Sequence, residues 1–469
     1  MMKISLTKNF FYVRQRISFT SRKPRSHMTL MTDICFSPIK SKISVNMNCV
    51  TTIILAGGNG TRLDPLTNTR CKPAVCFGGK YRLIDIPISN AIHSGCSKIF
   101  VISQYLSSSL NQHIFNTYHP GAFSSSAIEL ISAEQRPSQK SWFQGTACAV
   151  RQNLHYFTES SAEYFLILSG DQVYNMNFQH LIQFAKETNA DLVIAALPVN
   201  EEDAKRMGIM RVNPDYSVAE FHEKPQEQEH LNSLRLPLSA LEQILDGEVG
   251  NRQFLGSMGI YVFKRQALLD LLKCDSREDF GKHLIPTKVS QGSVVAYPHN
   301  GYWEDIGTIE SFFKANIALT ASSPDFNCCE EKRHIFFRQH YLSAPKIINT
   351  KIMNAIICDG SLVEAAEVTN SIIGLRSIVK QGSIIRNSYV IGNDFYTSPT
   401  QSDINSNNHQ IGENCIIDHA IIDKNVRIGN NVQLINKGKL MNYSSDKICI
   451  RDGIIVVPRG THLPDGFIL

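Results

Sequence analysis

The feature that most constrains the fold is a six-residue period in the last quarter of the chain. Two Ile-Gly pairs, at 373–374 and 391–392, lie eighteen residues apart, or three such periods. A hexapeptide period is typical of a β-helix, whose coils stack aliphatic side chains in interior columns. We therefore predict a β-helix from which the polar stretch 393–410 leaves as a loop. The expected interior positions are Ile356, Leu362, Val368, Ile372, Ile378, Ile384, Val390, Ile416, Ile422, Ile428 and Leu434.

The preceding part of the chain has a different pattern. Between residues 50 and 320, short apolar runs alternate with segments long enough for helices, which predicts an α/β layer with a largely parallel sheet. Residues 321–345 lack a clear period and contain two prolines, so they are predicted to be a linker. The expected domains are therefore 49–320, catalytic in type, and 346–469. The apolar runs are Thr51–Leu55, Ile99–Ser103, Phe165–Ser169 and Leu192–Leu197.

Residues 1–48 are predicted to be a basic, disordered leader. Residues 1–46 contain nine Lys and Arg against one acid, Asp33. The remaining chain has 38 basic and 41 acidic residues, which argues against a nucleic-acid partner. The leader has the composition of an organelle transit peptide, which would indicate a plastid. The alternative is a start assigned too early, with Met28, Met31 or Met47 as the true start, and a bacterial cytoplasmic protein.

Two further observations on composition limit the classes of protein. No apolar run approaches the roughly 18–20 residues that a membrane helix needs, so we expect no membrane partner. The twelve cysteines are scattered, with no CxxC pair and no zinc-type spacing. In a chain of 469 residues this pattern indicates reduced cysteines in a reducing compartment.

A glycine-rich segment, LAGGNGTRL at 55–63, directly follows the first predicted strand. Glycines there let backbone N–H groups approach phosphate oxygens. The segment is not a Walker A loop, because Lys-Ser/Thr is missing after the last glycine, and Leu63 replaces the third glycine of a dinucleotide fingerprint. The Arg62 guanidinium could bind phosphate bidentately. Lys72, next to Pro73, supplies a second cation.

These segments carry a family resemblance. LAGGNGTRLDPLT and RCKPAV (70–75) resemble the pyrophosphorylase signature of sugar nucleotidyltransferases, and FGGKYRLIDIPISN (77–90) resembles the ADP-glucose pyrophosphorylase family. The resemblance covers about residues 50–469. It implies a Rossmann-like nucleotidyltransferase domain with a mostly parallel mixed sheet, followed by a left-handed parallel β-helix. Other matching segments are WFQGTA (142–147), LSGDQVY (168–174), RMGIM (206–210), FHEKP (221–225), SMGIY (257–261) and WEDIGT (303–308).

The resemblance implies transfer of the adenylyl group of ATP to glucose 1-phosphate with Mg²⁺, the committed step of glycogen or starch synthesis. The implied catalytic residues are Arg62, Lys72 and Asp171. Mg²⁺ would be held by Asp171 and Asp305. The other residues implied for ATP are Gly57, Gly58, Gln104, Gly145 and Thr146. Those implied for glucose 1-phosphate are Phe143, Gly208, Glu223, Lys224 and Ser257.

The resemblance also implies a homotetramer and a site for a phosphorylated-metabolite effector between the two domains. The residues that match effector positions are Arg70, Arg82, His113, Lys424 and Arg451. The chain departs from the family at three places, where Cys148 replaces an aspartate, Gln172 stands where histidine is common, and Gln112 replaces an arginine. We expect Cys148 to alter tuning rather than abolish catalysis, and we expect a weakened or altered response to phosphorylated metabolites where Gln112 replaces the arginine.

Three alternatives to this function can be distinguished experimentally. A related pyrophosphorylase would prefer UTP, dTTP or GTP, which a substrate screen tests. A non-catalytic regulatory subunit should have lost its site residues, whereas Arg62, Lys72, Asp171, Lys224 and Asp305 are all present. A hexapeptide acyltransferase would need a catalytic histidine on the β-helix, and none is obvious.

Overall fold

A computed structural model describes residues 45–118, 126–134, 142–159, 161–245, 249–328, 330–396 and 410–469. The predicted leader lies outside this range except at its end. Met47, which the leader prediction included, is buried in the core beside the sheet. Most of the predicted polar loop, residues 397–409, also lies outside the described residues. No helix of the described residues is long and apolar enough to cross a membrane.

Strands and helices alternate from residue 50 to residue 318, and the four predicted apolar runs all lie in strands. The strands are β1 Val50–Ala56, β2 Cys76–Phe77, β3 Tyr81–Arg82, β4 Lys98–Ser103, β5 Ala127–Ser132, β6 Tyr164–Ser169, β7 Gln172–Tyr174, β8 Leu192–Val199, β9 Gly208–Val212, β10 Val218–Glu223, β11 Phe254–Lys264, β12 Val294–Pro298 and β13 Trp303–Asp305. The helices are α1 Asp85–His93, α2 Ser108–Thr117, α3 Thr146–Gln152, α4 Leu154–Thr158, α5 Phe178–Thr188, α6 Glu201–Ala204, α7 Gln228–Leu234, α8 Leu238–Leu245, α9 Arg265–Cys274, α10 Ile285–Gln291 and α11 Ile309–Ala318.

The main sheet is mixed and mostly parallel in its first half, as predicted. Strands β5, β4, β1 and β6 lie side by side in parallel. The long strand β11 runs antiparallel to β6, β8 and β9, and β12 and β10 extend the sheet beyond them. Successive residues of β1 are buried on opposite faces, because Ile53 and Ile54 belong to different apolar clusters. The carboxyl ends of β1, β4 and β6 therefore meet at one edge, where open α/β sheets bind ligands.

The last quarter of the chain forms the predicted β-helix. Its strands pair in parallel with the next coil, so that Ile352 lies opposite Val368, and Ile372 opposite Tyr389. The strands are β14 Lys346–Ile347, β15 Lys351–Ile357, β16 Leu362–Val363, β17 Glu367–Ile373, β18 Ile378–Val379, β19 Ile384–Arg386, β20 Tyr389–Val390, β21 Ile416–Asp418, β22 Ala420–Ile422, β23 Arg427–Ile428, β24 Gln433–Leu434, β25 Tyr443–Ser444, β26 Cys449–Arg451, β27 Ile454–Val457 and β28 His462–Leu463.

Several of the predicted interior positions are wrong by one residue. Coils repeat every sixteen or seventeen residues, as the pairing of Leu362 with Ile378 and of Glu367 with Ile384 shows, and not every eighteen. A strict six-residue count therefore drifts off the interior. A shift of one residue moves a side chain to the other face of a strand. Five of the predicted interior residues are only half-buried: Ile356, Leu362, Ile378, Ile384 and Ile416. For the last four, the next residue in the chain is the fully buried one: Val363, Val379, Ile385 and Ile417.

A second interruption of the β-helix was not predicted. Ile421 pairs with Val456, so the chain between β22 and β27 is longer than one coil. The extra residues include an antiparallel hairpin, in which β25 pairs with β26 and β26 pairs with β27. The hairpin places Arg451 next to the catalytic domain, at Asp64.

The two domains share one apolar cluster. The rings of Phe312 and Tyr389 lie 5.8 Å apart, and those of Phe313 and His419 lie 4.7 Å apart. Ile335 of the predicted linker is buried in the same cluster. The linker is packed along α1, since the backbone N–H of Phe336 donates to the Ser89 hydroxyl at 2.9 Å. The described part of residues 321–345 contains a short 3₁₀ turn at Glu331–Arg333 but no α-helix or strand.

Candidate active site

The glycine-rich segment forms a loop between β1 and a 3₁₀ turn at Thr61–Leu63. Gly60 has φ +63°, and a Cβ atom there would lie 2.9 Å from the Cβ of Lys72. Glycine is therefore required both by the left-handed conformation and by the close approach of Lys72. Gly58 and Arg62 are exposed at the mouth of the site. Gly57 packs against Gln104, which follows β4.

Lys72 joins the two carboxylates that the sequence singled out. Its Nζ lies 2.6 Å from Asp171 Oδ2 and 3.6 Å from Asp305 Oδ1, and only about a tenth of its side chain is exposed. The hydroxyl of Ser169 donates to the other oxygen of Asp171. The Arg62 guanidinium approaches the same point, 3.6 Å from where a Cβ on Gly307 would lie. Two cations and two carboxylates thus converge beside the glycine loop.

The two carboxylates of this cluster differ in the direction in which their pKa is shifted. Burial lowers the pKa of Lys72, but Asp171 and Asp305 outweigh burial and the pKa is raised. Burial raises the pKa of Asp171, but the ion pair with Lys72 dominates, so its pKa is lowered. The pKa of Asp305 is raised, because burial and the charge of Asp171 exceed the effect of Lys72 and Arg62. Burial is the largest cause at Asp305, so positive charge bound close to this carboxylate would stabilise its ionised form.

A two-stranded ribbon brings these carboxylates together. β13 pairs antiparallel with β7, which places Asp305 opposite Gln172, and the N–H of Ile306 donates to the carbonyl of Asp171 at 3.3 Å. The buried Gln172 amide donates to the carbonyl of Met258 at 2.8 Å and accepts from the indole N–H of Trp303 at 3.3 Å. Gln172 therefore links three strands directly behind the cluster.

A second carboxylate–lysine pair lies on β10 and the turn after it. Lys224 Nζ lies 3.5 Å from Glu223 Oε1. Lys224 has φ +50°, which is uncommon for a residue other than glycine and is often found at functional sites. A Cβ on Gly208 would clash with the Phe221 ring and lie 2.8 Å from Glu223 Oε2, so glycine admits this carboxylate. Burial raises the pKa of Glu223, although Lys224 opposes the shift.

Two other predicted residues take part in hydrogen bonds near the cluster. Ser257 lies at an irregularity of β11, and its hydroxyl accepts from the N–H of Gly259 at 3.2 Å. Gln104 exchanges two hydrogen bonds with the backbone of Phe143, at 2.9 and 3.2 Å. This exchange fixes the segment before α3 against the end of β4.

Gly145 and Thr146 begin α3, but part of their capacity for hydrogen bonds is already used. The carbonyl of Glu278 accepts from the N–H groups of Ala147 and Cys148 at 2.8 and 3.0 Å. The Thr146 hydroxyl lies 3.2 Å from Asp279 Oδ2 and accepts from the N–H of Phe280. The start of α3 is therefore held by the protein itself, and the role of Gly145 and Thr146 in ATP binding remains a prediction.

Sequence reasoning missed several residues that shape the site. Ser169 binds Asp171, Gly281 lies against the Glu223 carboxylate as Gly208 does, and Gly307 lies close to Asp305 and Arg62. Ser169 and Gly307 fall inside the segments LSGDQVY and WEDIGT, so the signal was present there. Gly281 follows no motif, and its place is set by a π-helical turn at Phe280–Leu284.

Residues 51–322 match the family described as Nucleotidyl transferase. The chain belongs to the nucleotidyl transferase family. Residues 340–468 match the GLGC left-handed parallel beta-helix domain, which confirms the predicted second fold. The two domains together are the architecture of glucose-1-phosphate adenylyltransferase. The family implies nucleotide and sugar phosphate substrates, and nucleotidyl transferases typically use Mg²⁺.

This nucleotidyl transferase has a second charged site where its domains meet. A cavity of about 260 Å³, here termed the cation cavity, is lined by basic residues and one acid: Arg70, Arg82, Arg338, Lys424, Arg459 and Asp394. It brings together three of the predicted effector residues, Arg70, Arg82 and Lys424. Gln112, one of the departures from the family, also lines it.

The other two predicted effector residues do not line the cation cavity. His113 is buried, with Nε2 at 2.6 Å from Asp85 Oδ1. Arg451 donates to the Ser444 hydroxyl at 2.9 Å and pairs with Asp64 at 3.3 Å. Asp64 immediately follows the turn that carries Arg62, so Arg451 contacts the chain next to the glycine loop instead.

Proposed function

We propose that this nucleotidyl transferase transfers the adenylyl group of ATP to α-D-glucose 1-phosphate, which gives ADP-glucose and diphosphate for glycogen or starch synthesis. The observation that carries the proposal is the cluster of Lys72, Asp171 and Asp305 beside the glycine loop. Arg62 approaches this cluster, and the Glu223–Lys224 pair offers a separate place for a sugar phosphate. Each substrate thus has its own cation and its own carboxylate.

The chemistry consists of an in-line exchange at the α-phosphorus of ATP. A phosphate oxygen of glucose 1-phosphate forms a bond to that phosphorus, and the bond to the diphosphate leaving group breaks. Both reactants are anions, so the protein's main task is to neutralise and align them. Arg62 and Lys72 would bind the triphosphate and stabilise the charge that develops on diphosphate. The N–H groups of Gly57 and Gly58 would contact its oxygens.

Asp171 and Asp305 fit a divalent cation of the hard type. Both carboxylates approach the Lys72 ammonium, at 2.6 and 3.6 Å, so their oxygen atoms lie close to one point, and Mg²⁺ prefers carboxylate oxygens as ligands. These two residues would hold Mg²⁺, which when bound neutralises phosphate oxygens and supports the leaving group.

On the sugar side, the Lys224 ammonium would bind the phosphate of glucose 1-phosphate, and Glu223 would accept hydrogen bonds from sugar hydroxyls. Gly208 lies beside Glu223, and Ser257 and Phe143 would complete the sugar site. Gln104, which is hydrogen-bonded to the Phe143 backbone, would contact the adenine. The domain bounds 49–320, 321–345 and 346–469 belong to the same proposal. The proposal also includes a homotetramer, a cytoplasmic or plastid location, and a phosphorylated-metabolite effector that binds in the cation cavity.

Substrate choice is the direct test. We expect purified full-length protein with Mg²⁺ to release diphosphate from ATP and glucose 1-phosphate, with kcat/KM for ATP at least about tenfold above that for UTP, dTTP or GTP, or about 1.4 kcal/mol. Reactions without glucose 1-phosphate set the background. A tenfold preference for UTP or dTTP would contradict the proposed nucleotide, and no release with any of the four would favour a regulatory subunit.

A further inference from the structure

The cation cavity contains a carboxylate that already occupies two of its cations. Asp394 Oδ1 accepts from the Lys424 ammonium at 2.6 Å, and Oδ2 accepts from the Arg459 guanidinium at 2.8 Å and from Asn425 Nδ2 at 3.0 Å. The Asp394 N–H donates to Asn425 Oδ1 at 2.8 Å, which fixes the backbone as well. Burial raises the pKa of Asp394, but Lys424 and Arg459 outweigh burial and lower it, so Asp394 is ionised.

Another part of the cavity wall carries donors without partners among the described residues. Arg70 is 2% exposed, and its terminal nitrogen is bound to Asp423, but its Nε has no hydrogen-bond partner. The buried hydroxyl of Ser109 likewise has none. Arg338 lines the cavity, and it forms no ion pair within the part of the chain that the structure describes. A buried unsatisfied donor costs about 1–3 kcal/mol, so this wall is suited to an acceptor-rich anion.

Asp394 does not neutralise the positive charge around the cavity. Burial, and then the charges of Arg376, Arg338 and Lys424, lower the pKa of His340 to about 4, with His113 contributing in the same direction. Five cations and one carboxylate line the cavity, and one further carboxylate, Asp423, pairs with Arg70. The remaining surplus of positive charge favours a ligand with more than one negative charge.

We propose that Asp394 sets the charge selectivity of the cation cavity by competing, as a tethered anion, for Lys424 and Arg459. A tethered group acts at an effective concentration on the order of millimolar. A free monocarboxylate has the same charge as Asp394 and lacks the tether, so it cannot displace Asp394. A phosphate dianion carries more charge and more acceptor oxygens, and it can also reach Arg70 Nε, Ser109 and Arg338. The inference rests on the proposed effector role of this cavity.

Calorimetry on the full-length protein without substrates tests this selectivity, with inorganic phosphate and acetate as the two probes. We expect the natural protein to bind phosphate and not acetate. Asp394→Asn should bind phosphate about tenfold more tightly and gain measurable acetate binding. Arg338→Ala should lose phosphate binding, which separates the cavity from the glycine loop. Glu364→Gln is the matched control, since Glu364 is a β-helix carboxylate 3.7 Å from Lys380 and outside the cavity.

Several outcomes would overturn the proposal. One is that the natural protein binds acetate as tightly as phosphate. Another is that Asp394→Asn binds phosphate with unchanged or weaker affinity, which would mean that Asp394 organises the cations rather than competes for them. If Asp394→Asn fails to fold, Asp394→Ser is the second neutral variant, and Asp394→Glu should keep the natural selectivity. Because no substrate is present, a failed substrate screen leaves these measurements unaffected.

Discussion

Lys72 and Lys224 illustrate how two lysines of one site differ in environment. Lys72 is buried between Asp171 and Asp305, whereas the side chain of Lys224 is about half exposed and lies beside a single carboxylate, Glu223. A buried pair is sensitive to loss of either partner, since about 3–5 kcal/mol is lost when one charge remains uncompensated. An exposed lysine contributes mainly when an anion arrives. The two lysines should therefore affect different kinetic constants.

This difference predicts separate kinetic effects for Asp171 and Lys224. Asp171→Asn should lower kcat by roughly 10²-fold or more, the scale of losing a preorganised electrostatic contact. Lys224→Ala should mainly raise KM for glucose 1-phosphate, by about tenfold, because the lost interaction is present before and during reaction. Steady-state kinetics with each substrate varied in turn measures both effects.

The control for these variants is Lys205→Ala, a surface lysine 3.9 Å from Glu201. It should leave both kinetic constants near those of the natural protein, since exposed pairs contribute about 0–1 kcal/mol. Near-normal kcat in Asp171→Asn would remove that residue from the metal site. A Lys224→Ala variant that lowers kcat alone would place this lysine at the reacting phosphorus.

At the scale of elements, the short strands β7 and β13 decide the geometry of the site. Each has three residues, and their pairing brings residues 172–174 against residues 303–305. Gln172 stabilises this pairing through Trp303 and connects it to β11 through Met258. Its amide supplies one donor and one acceptor, which a neutral histidine can also supply.

We therefore predict that Gln172→His keeps kcat within a few-fold, while Gln172→Leu lowers it by about tenfold or more. Leucine would leave the Trp303 N–H and the Met258 carbonyl unpaired, at about 1–3 kcal/mol each. The same variant should need more Mg²⁺ for half-maximal rate, because Asp171 and Asp305 would be held less firmly. Magnesium titrations with thermal unfolding as a companion measurement test this. A lower unfolding temperature with unchanged Mg²⁺ dependence would make Gln172 merely structural.

Sequence patterns predicted those strands whose formation depends on residues close together in the chain. β1, β4, β6 and β8 were predictable, because each is a run of apolar residues long enough to be recognised. The pairing of β7 with β13 was not, because neither strand has a period and the contact is distant in sequence. The motifs nevertheless pointed to Asp171 and Asp305, while the bridging role of Gln172 needed the three-dimensional arrangement.

The β-helix shows a different limit of sequence reasoning. Its period was visible, but coils of sixteen or seventeen residues contain steps of five as well as six, so a regular count loses register. The corners of the coils carry a further sequence signal, the spacing of asparagine residues. Asn354, Asn370 and Asn387 all have positive φ and form a side-chain ladder at 3.1 and 3.3 Å, which extends from Asn387 to Asp418. Asparagine tolerates this conformation well, so its spacing marks the coils.

The charged residues of the β-helix could not be sorted by sequence alone. Lys424 and Arg451 both matched effector positions, yet the first lines the cation cavity and the second pairs with Asp64 near the glycine loop. The same cationic side chain can bind an anionic ligand or a neighbouring carboxylate, so the residue type does not show which of the two it binds. Only the position of the unpredicted hairpin β25–β26 separates the two cases.

At the scale of the whole molecule, the β-helix packs against the catalytic domain through a shared apolar cluster, and one strand edge of its first coil is unpaired among the described residues. Among the described residues, β15 pairs only with β17, so its other edge is free. Ile347, Ile352 and Met353 on the first coil are all exposed. A free strand edge flanked by apolar side chains is suited to pairing with another chain. This surface supports the proposed homo-oligomer.

We predict that the full-length protein is a tetramer and that a fragment ending at Thr320 aggregates or remains monomeric. The structure supplies the reason. Phe77, Phe312 and Phe313 are buried at the domain interface, and uncovering each costs about 1.5–3 kcal/mol.

Light scattering on both proteins tests the assembly and the interface together. The matched control is the fragment with Phe313→Ser, which should be more soluble than the unmodified fragment because its exposed apolar patch is smaller. In the full-length protein, the same substitution should lower the unfolding temperature, because Phe313 there packs on His419. A mass of one chain for the full-length protein would contradict the assembly. A fragment that is soluble, and whose solubility Phe313→Ser does not change, would show that the β-helix is not needed to cover this surface.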